Sequence, residues 1–157
     1  MSDARLPAAA GEDLALDVVR FRCGTWSLAI EARHVRGASS APPADAAVAI
    51  EALLGWPPAP AGPRQCLSLR PPQAGTARPV AVDGPVELLP LAAAHIHALP
   101  PLLAARCQLR GLRALAWTGP LNQPPLLLLD AAALLAAAPA QPLTPPAGAA
   151  AQGTSAH

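Results

Sequence analysis

The chain has 157 residues, 52% of them hydrophobic and 13% charged, which suits one domain or two closely packed small barrels. Its net charge is +1, and its eleven cationic residues are all arginines scattered among ten acidic ones, so no basic stripe favours a nucleic-acid partner. The three cysteines lie far apart with no Cys-x-x-Cys pair, which favours reduced thiols in a cytosol.

The chain contains no segment that predicts direct membrane insertion. Its longest apolar run, residues 126–138, is interrupted by Asp130 and is shorter than the ~20 residues that a span requires. The N-terminus has no apolar stretch of signal-peptide length. Residues 1–13 and 139–157 are rich in Pro, Ala and Gly without periodicity, so we expect two disordered tails around a folded part at 14–138.

The folded part opens with a predicted hairpin over residues 17–31. Apolar side chains alternate with polar or small ones on both sides of a Gly24-Thr25 turn. A third strand is expected from Val35. A short helix should follow, capped by Asp45 and stopped by Gly55, with an apolar face made of Ile50, Leu53 and Leu54.

The second half reads as more short strands and one closing helix. Strands are predicted at 64–70 and 78–82, and Asp83-Gly84 is a hairpin signal leading into a strand at 85–91. Residues 107–117 predict a strand with a bulge at Gly111. Residues 124–130 predict a fully buried strand, and Asp130 should then cap a helix that continues until Pro139. The expected class is mainly β, of barrel type, with two short helices.

Four blocks of the sequence, taken in order, resemble the CheW-like domain, the adaptor module of bacterial chemosensory arrays. They are VVRFRCGTWSLAIEARHV, VAIEALLG, VAVDGPVELLPLAAAHIHALP, and LRGLRALAW followed by LLLLDAAALL. The third block is the most specific, because it is similar to the family's Val-Val-Asp segment and to the Ile-x-x-x-Pro that follows it. The resemblance covers about residues 17–136 and assigns 14–138 to one CheW-like domain.

The resemblance implies two small SH3-like β-barrels side by side with a groove between them, and neither a catalytic site nor a cofactor. It implies a cytoplasmic adaptor, held at the inner membrane through receptor arrays, that couples a chemoreceptor's cytoplasmic tip to a CheA-type histidine kinase. Other CheW-like proteins are further candidate partners. Only SSAPPADA separates Ala38 from Ala47, too short for the family's strand pair there, so the first barrel is expected to be shortened.

Two short segments are the predicted partner-binding residues. By the resemblance, Val35 falls where the family's valine meets the receptor, and Arg36 follows it. Val86, Glu87 and Leu88 occupy the corresponding place in the second half. Pro85 lacks an N–H group, which suits a sheet edge.

The aromatic residues divide by their positions. Trp26 and Trp117 lie in predicted strands and are expected in the core. Trp56 lies in a proline-rich linker and is the expected exposed aromatic, suited to anchor an interface.

Two alternatives remain open at the level of sequence. One is an accessory adaptor of a pilus-linked chemosensory system that binds only one of the usual partners. The other is a small metal-binding or hydrolytic protein using His95, His97 and Cys107. The histidines and cysteines are not at metal-motif spacing, so no metal site is assigned. No nucleophile signature surrounds Cys66 or Cys107, the two thiols that His95 and Asp83 would have to activate.

Overall fold

The structure is a computed structural model that describes residues 14–40, 47–60, 62–71 and 75–136, so both predicted tails lie outside the described residues. Its strands are β1 (Ala15–Cys23), β2 (Trp26–Glu31), β3 (Val35–Ser39), β4 (Val48–Ala49), β5 (Arg64–Leu69), β6 (Arg78–Ala92), β7 (Ile96–Ala98), β8 (Leu112–Ala116) and β9 (Leu126–Leu129). Its helices are α1 (Ile50–Leu54), α2 (Pro101–Arg106) and α3 (Ala131–Ala136). Single 3₁₀ turns, Ala32–His34 and Ala93–His95, precede β3 and β7. The predicted mainly β class is confirmed.

The strands of the described ranges form one mixed sheet. Its order is β3-β5-β6-β1-β2-β9-β8-β7, and β4 pairs separately with β6. The β2–β9 and β4–β6 pairs are parallel, and the other pairs are antiparallel. The strands at the two ends of this order, β3 and β7, each pair with a single described strand.

Three strands, β1, β2 and β9, contribute buried side chains to both of their faces. Successive side chains of a strand point to opposite faces. In β9, Leu127 and Leu129 therefore join one buried cluster, while Leu126 and Leu128 join another. In β1 and β2, most buried residues join the first of these clusters, and only Val18 and Ala29 join the second, so these strands form a wall between two cores.

We call these clusters the first core and the second core. The first core comprises Val19, Phe21, Cys23, Leu28, Ile30, Ile50, Leu53, Leu54, Leu67, Leu69, Val80, Val82, Leu127, Leu129, Ala131, Leu134 and Leu135. The second core comprises Val18, Ala29, Leu91, Ala114, Ala116, Leu126 and Leu128. Strand β6 contributes to both, with Val80 and Val82 in the first core and Leu91 in the second. One core on each side of a common wall is the interior of a double barrel.

The predicted hairpin at Asp83-Gly84 is wrong, because β6 continues through this dipeptide for 15 residues. Arms of a hairpin would pair with each other, whereas the first arm here pairs with β5 and the second with β1. Long-range pairing has therefore overridden a local turn signal. After Asp83, β6 pairs only with β1 among the described strands, so residues 84–92 do form a sheet edge, as Pro85 suggested.

A wide bulge in β6 takes the place of that turn. Arg20 of β1 lies opposite Glu87, and Arg22 lies opposite Asp83. Two steps along β1 thus match four along β6, which leaves two extra residues in β6. Because the surplus is an even number, the residues on both sides of the bulge keep their alternation between the two cores.

Helix α1 is shorter than the sequence predicted. It begins at Ile50 after an N-cap at Ala49, and residues 48–49 form a strand; the predicted cap, Asp45, lies outside the described residues. The predicted apolar face and stop are confirmed: Ile50, Leu53 and Leu54 are buried, and Gly55 ends the helix with φ of 76°. Such a left-handed C-cap favours glycine. The expected shortening of the first barrel involves residues 41–46, also undescribed, and stays a prediction.

The closing strand and helix were predicted correctly. All four residues of β9 are buried. Asp130 caps α3 with its Oδ1 atom, which accepts the N–H groups of Ala132 (2.8 Å) and Ala133 (3.2 Å). The predicted strand at 107–117 is reduced to β8. Gly111 lies in the turn before it, with φ of 76°, and the bulge falls between Leu112 and Ala114.

Helix α2 was not predicted from the sequence. It follows Pro100 and begins with Pro101, whose fixed φ suits the first helical position. None of its residues is buried. No helix within the described ranges is both long and apolar enough to cross a membrane.

Candidate partner-binding surface

The first predicted patch, Val35 and Arg36, lies at the start of edge strand β3. Val35 is half-buried and packs against the first core, whereas Arg36 is exposed. The preceding 3₁₀ turn is held to the end of β5, because the carbonyl of His34 accepts the N–H of Arg70 (2.7 Å). This patch therefore presents an exposed cation beside an apolar side chain that packs against the first core.

The second predicted patch, Val86, Glu87 and Leu88, lies on the edge portion of β6. Val86 is half-buried against the first core, and its N–H donates to Gln65 Oε1 (3.1 Å). Leu88 points to the same side but extends past that core, beside Val19 on β1, and is 69% exposed. An exposed leucine on an open strand edge is a suitable contact for a protein partner.

Glu87 points to the other side of β6, where it forms an ion pair with Arg20 of β1. The two residues lie directly opposite in the antiparallel register. Both side chains are nearly half exposed, so the pair contributes little to stability. Arg20 was not among the predicted site residues, and no local pattern could have identified it, because it lies 67 residues away.

The two patches lie at opposite ends of β5. Val35 pairs with Leu69 at one end, while Val86 contacts Gln65 near the other. Leu69 and Gln65 are four residue steps apart, or about 13 Å along β5 at ~3.3 Å per residue. The sequence-predicted site is thus two patches on the rim of the first core, and no strand pairing joins them directly.

A buried ion pair lies near the second patch. Glu51 of α1 is 2% exposed and accepts two hydrogen bonds from Arg64 of β5, at 2.5 and 3.0 Å. Arg64 Nε also lies 3.7 Å from Asp83 Oδ1, and Asp83 Oδ2 accepts the N–H of Gly24 (2.9 Å). These contacts join α1, β5, β6 and the β1–β2 turn at one end of the first barrel. A buried carboxylate requires such paired hydrogen bonds.

This ion pair also changes the chemistry of Cys23. Burial, followed by the charge of Glu51, raises the pKa of the Cys23 thiol to about 12. Burial likewise raises the pKa of Cys66. Both thiols are buried. At neutral pH they are protonated side chains of low reactivity, unsuited to act as nucleophiles.

The tryptophans differ from the sequence-based expectation. Trp26, expected in the core, is 45% exposed, whereas Trp56, expected to be exposed, is half-buried against the first core. Their ring centroids lie 6.3 Å apart at 46°. The pair forms because α1 and the β1–β2 hairpin meet there, a contact that the linker composition around Trp56 does not reveal. Trp117 is half-buried, with an edge-on contact to His97 at 5.5 Å.

The histidines and cysteines of the metal or hydrolytic alternative lie on separate features. His95 closes a 3₁₀ turn and His97 lies in β7, both exposed, with Ile96 packed against the second core. Cys107 follows α2, and Cys66 lies in β5, near the other end of the strand order. Across the described ranges, no group of three or more His, Cys, Asp or Glu side chains is placed to hold a metal ion.

Some exposed apolar residues were not among the predicted contacts. Besides Leu88 and Trp26, the large exposed hydrophobic side chains are Leu14, Leu102, Leu103 and Leu121. Their sequence signal was weak, because α2 was not predicted and Leu121 lies in a loop. They provide matched positions against which the predicted contacts can be compared.

A mainly β chain with two cores around a shared wall has the fold of paired SH3-like barrels. The structure is similar to that of the scaffolding protein TtCheW from Thermoanaerobacter tengcongensis, with a TM-score of 0.56 and 11% sequence identity, over 74% of this chain and 90% of that one. The fold is therefore CheW-like. No protein-family model and no curated protein matches the sequence. The relationship is carried by the fold rather than by side-chain identity.

Proposed function

We propose that this chain is a non-catalytic chemotaxis adaptor that couples chemoreceptors to a CheA-type histidine kinase. The observation that carries the proposal is the CheW-like fold, which spans nine-tenths of the chain of a scaffolding protein. The protein would act in the cytoplasm, at the inner membrane through receptor arrays. Binding is its mechanism, since an adaptor acts through which partners it holds next to each other.

The exposed parts of the two patches support this assignment. Arg36 and Leu88 present a cation and an apolar side chain on strand edges, while Val35 and Val86 are anchored on the first core. A contact that is partly buried before binding loses little conformational entropy when a partner docks. We therefore assign Val35, Arg36, Val86, Glu87 and Leu88 to the contact surface, with other CheW-like proteins as further candidate partners.

The accessory-adaptor alternative differs from this proposal in how many patches bind a partner. An accessory adaptor, such as one in a system linked to pili, would bind a receptor or a kinase through one patch, but not both. The two patches lie about 13 Å apart along β5, so a substitution can disable one and leave the other unchanged.

The test is binding of the purified protein to the regulatory domain of a CheA-type kinase from the same genome, measured by calorimetry. We expect micromolar affinity, and a loss of about tenfold or more for Val35→Arg or Leu88→Arg, since a charge would enter an apolar contact. Leu121→Arg is the matched control, because Leu121 is 88% exposed on a loop outside both patches. It should bind like the wild type.

Each outcome separates the alternatives. If only one patch variant loses the kinase, the other patch is assigned to a second partner, and the receptor tip becomes the next ligand to test. If the folded wild type binds neither the kinase domain nor a receptor cytoplasmic tip, the adaptor proposal is wrong. Equal loss in Leu121→Arg would show that the effect is not specific to the patches.

A further inference from the structure

Strand β6 loses one of its two neighbours in the middle of its length. Its pairing with β5 ends where Arg64 meets Asp83, and residues 84–92 then pair only with β1 among the strands described. The N–H of Val86 points to the vacated side. Gln65, next to the end of β5, accepts this N–H with its side-chain Oε1 (3.1 Å). A side-chain amide thus takes the place of the next backbone carbonyl of β5.

The same amide lies directly against Gly84. A Cβ atom placed on Gly84 would lie 3.3 Å from Gln65 Cδ and 3.5 Å from both Oε1 and Nε2. The Gln65 amide therefore lies against the Gly84 backbone on one side and accepts the Val86 N–H on the other. The Gln65 amide would have to shift by a few tenths of an ångström to admit a Cβ atom at residue 84, so glycine suits this contact.

The hydrogen bond from Val86 lies at the start of the second patch. Two extra residues in β6 make the backbone between Asp83 and Glu87 irregular, so no continuous ladder holds it. Val86 is half-buried, and a half-buried N–H left without an acceptor loses the free energy of its hydrogen bond. Glu87 and Leu88 pair with Arg20 and Val19 of β1, and the hydrogen bond of Val86 holds the residue just before this ladder begins.

We propose that Gln65 is a positioning residue for the partner-binding segment Val86–Leu88, acting through its hydrogen bond to Val86 and its contact with Gly84. This inference rests on the proposed adaptor function. Gln65 itself need not touch the partner. It holds the strand in the conformation that presents Leu88 and Glu87, which lowers the conformational cost of docking.

The experiment combines amide hydrogen exchange at Val86, followed by NMR on the full chain, with calorimetric binding to the kinase regulatory domain. Gln65→Met removes the acceptor at similar length, and Gln65→Glu keeps an acceptor oxygen. For Gln65→Met we expect about fivefold faster exchange at Val86 and about fivefold weaker binding, the equivalent of one lost hydrogen bond. The melting temperature should fall by about 2–4 °C, the effect of one lost hydrogen bond in a chain of this size. Gln65→Glu should stay within about twofold of the wild type in both measurements.

A substitution at Gly84 tests the contact between Gly84 and the Gln65 amide independently. Gly84→Ala should displace the Gln65 amide and also speed exchange at Val86. In a Gln65→Ala background the added methyl group has no amide to displace, so Gly84→Ala should then have no further effect. Two independent sites would instead give additive changes.

The outcomes distinguish this proposal from the adaptor function. Unchanged Val86 exchange in Gln65→Met would overturn the positioning role, and so would faster exchange with unchanged affinity for the partner whose binding Leu88→Arg weakens. If the wild type binds neither the kinase domain nor a receptor cytoplasmic tip, the adaptor function fails by itself. The amide exchange rate of Val86 in Gln65→Met, together with the double-mutant cycle of Gly84→Ala and Gln65→Ala, then decides whether Gln65 holds the strand.

Discussion

The two cores share four strands, β1, β2, β6 and β9, but differ in size and in chemistry. Among the described residues, the first core has seventeen buried side chains, includes Phe21, and is closed by leucines of α1 and α3. The second core has seven, of which three are alanines, Ala29, Ala114 and Ala116. Glu51, the buried charged residue among those described, lies beside the first core. Most of the hydrophobic stabilisation is therefore expected from the first barrel.

This difference suggests a division of roles between the barrels. A core with few buried residues opens locally at a lower free energy than a core with many. We therefore expect the second barrel to stay folded mainly through its contacts with the shared wall of β1, β2 and β9. The second patch lies where β6 leaves the first core and enters the second. Its anchor, Val86, contacts the thicker core, while Leu88 extends beyond it. Val86, packed against the first core, thus holds the strand next to the exposed Leu88, which suits binding of a protein partner.

Two neighbouring leucines of β9 test the comparison most directly. Leu127 and Leu128 are 6% and 7% exposed, share a strand, and differ mainly in the core they enter. We expect Leu127→Ala to lower the free energy of unfolding by about 4 kcal/mol and Leu128→Ala by about 2 kcal/mol, because a cavity at the thin core can collapse more easily. Urea denaturation measures both values.

Leu126→Ala and Leu129→Ala extend this test to the whole strand. The costs should alternate along β9, higher for the residues of the first core. A cost that is equal for all four leucines, or higher for the second core, would show that the cores contribute equally. A changed urea dependence would instead indicate separate unfolding of the two barrels.

The buried thiol of the first core should make stability depend on alkaline pH. The folded-state pKa of Cys23, about 12, is above its ordinary value of 9.0. The stabilisation that comes from keeping the Cys23 thiol protonated in the folded state is therefore fully present below pH 9, and it is lost as the pH rises from 9 towards 12. The free energy of unfolding should fall by about 1.4 kcal/mol per pH unit in this window. Chemical denaturation at several pH values measures the slope.

The variant Cys23→Ala should reduce this slope, although it lowers stability at neutral pH by opening a small cavity. Leu127→Ala is the matched control, since it also destabilises the first core but keeps the thiol. It should retain the wild-type slope. If Cys23→Ala and the wild type lose stability in parallel between pH 9 and 12, the thiol is not the group responsible.

The local alternation of the strands was predictable, because burial on one face leaves a period of two in the sequence. That pattern revealed the hairpin of β1 and β2, and a continuous apolar run revealed β9. Neither signal shows that β9 contributes to two cores, since four consecutive leucines look the same whichever core each one enters. Only the strand order, which pairs β9 with β2 and β8, determines this.

The edge position of residues 84–92 was predictable from Pro85, whereas the contacts that support this edge were not. Val86 and Leu88, which the resemblance predicts as partner contacts, lie on this edge. Gln65, which holds Val86, and Arg20, which pairs with Glu87, are distant in sequence and carry no motif. The exchanged exposures of Trp26 and Trp56 have the same origin, because tertiary packing decided them rather than local composition.

The smallest expected effect concerns the ion pair of Arg20 and Glu87, on the side of β6 away from the first core. Glu87→Arg places two arginines opposite each other and should cost at most about 1 kcal/mol of stability. Adding Arg20→Glu restores a pair of reversed polarity and should recover that stability.

The affinity for the kinase separates the two roles of Glu87, which are to stabilise the strand and to contact the partner. If the kinase affinity stays low in the double variant while stability returns, the partner interacts with the negative charge of Glu87. This side of β6 then belongs to the contact surface. If affinity returns with stability, Glu87 serves the strand alone, and the contact is confined to the side that presents Leu88.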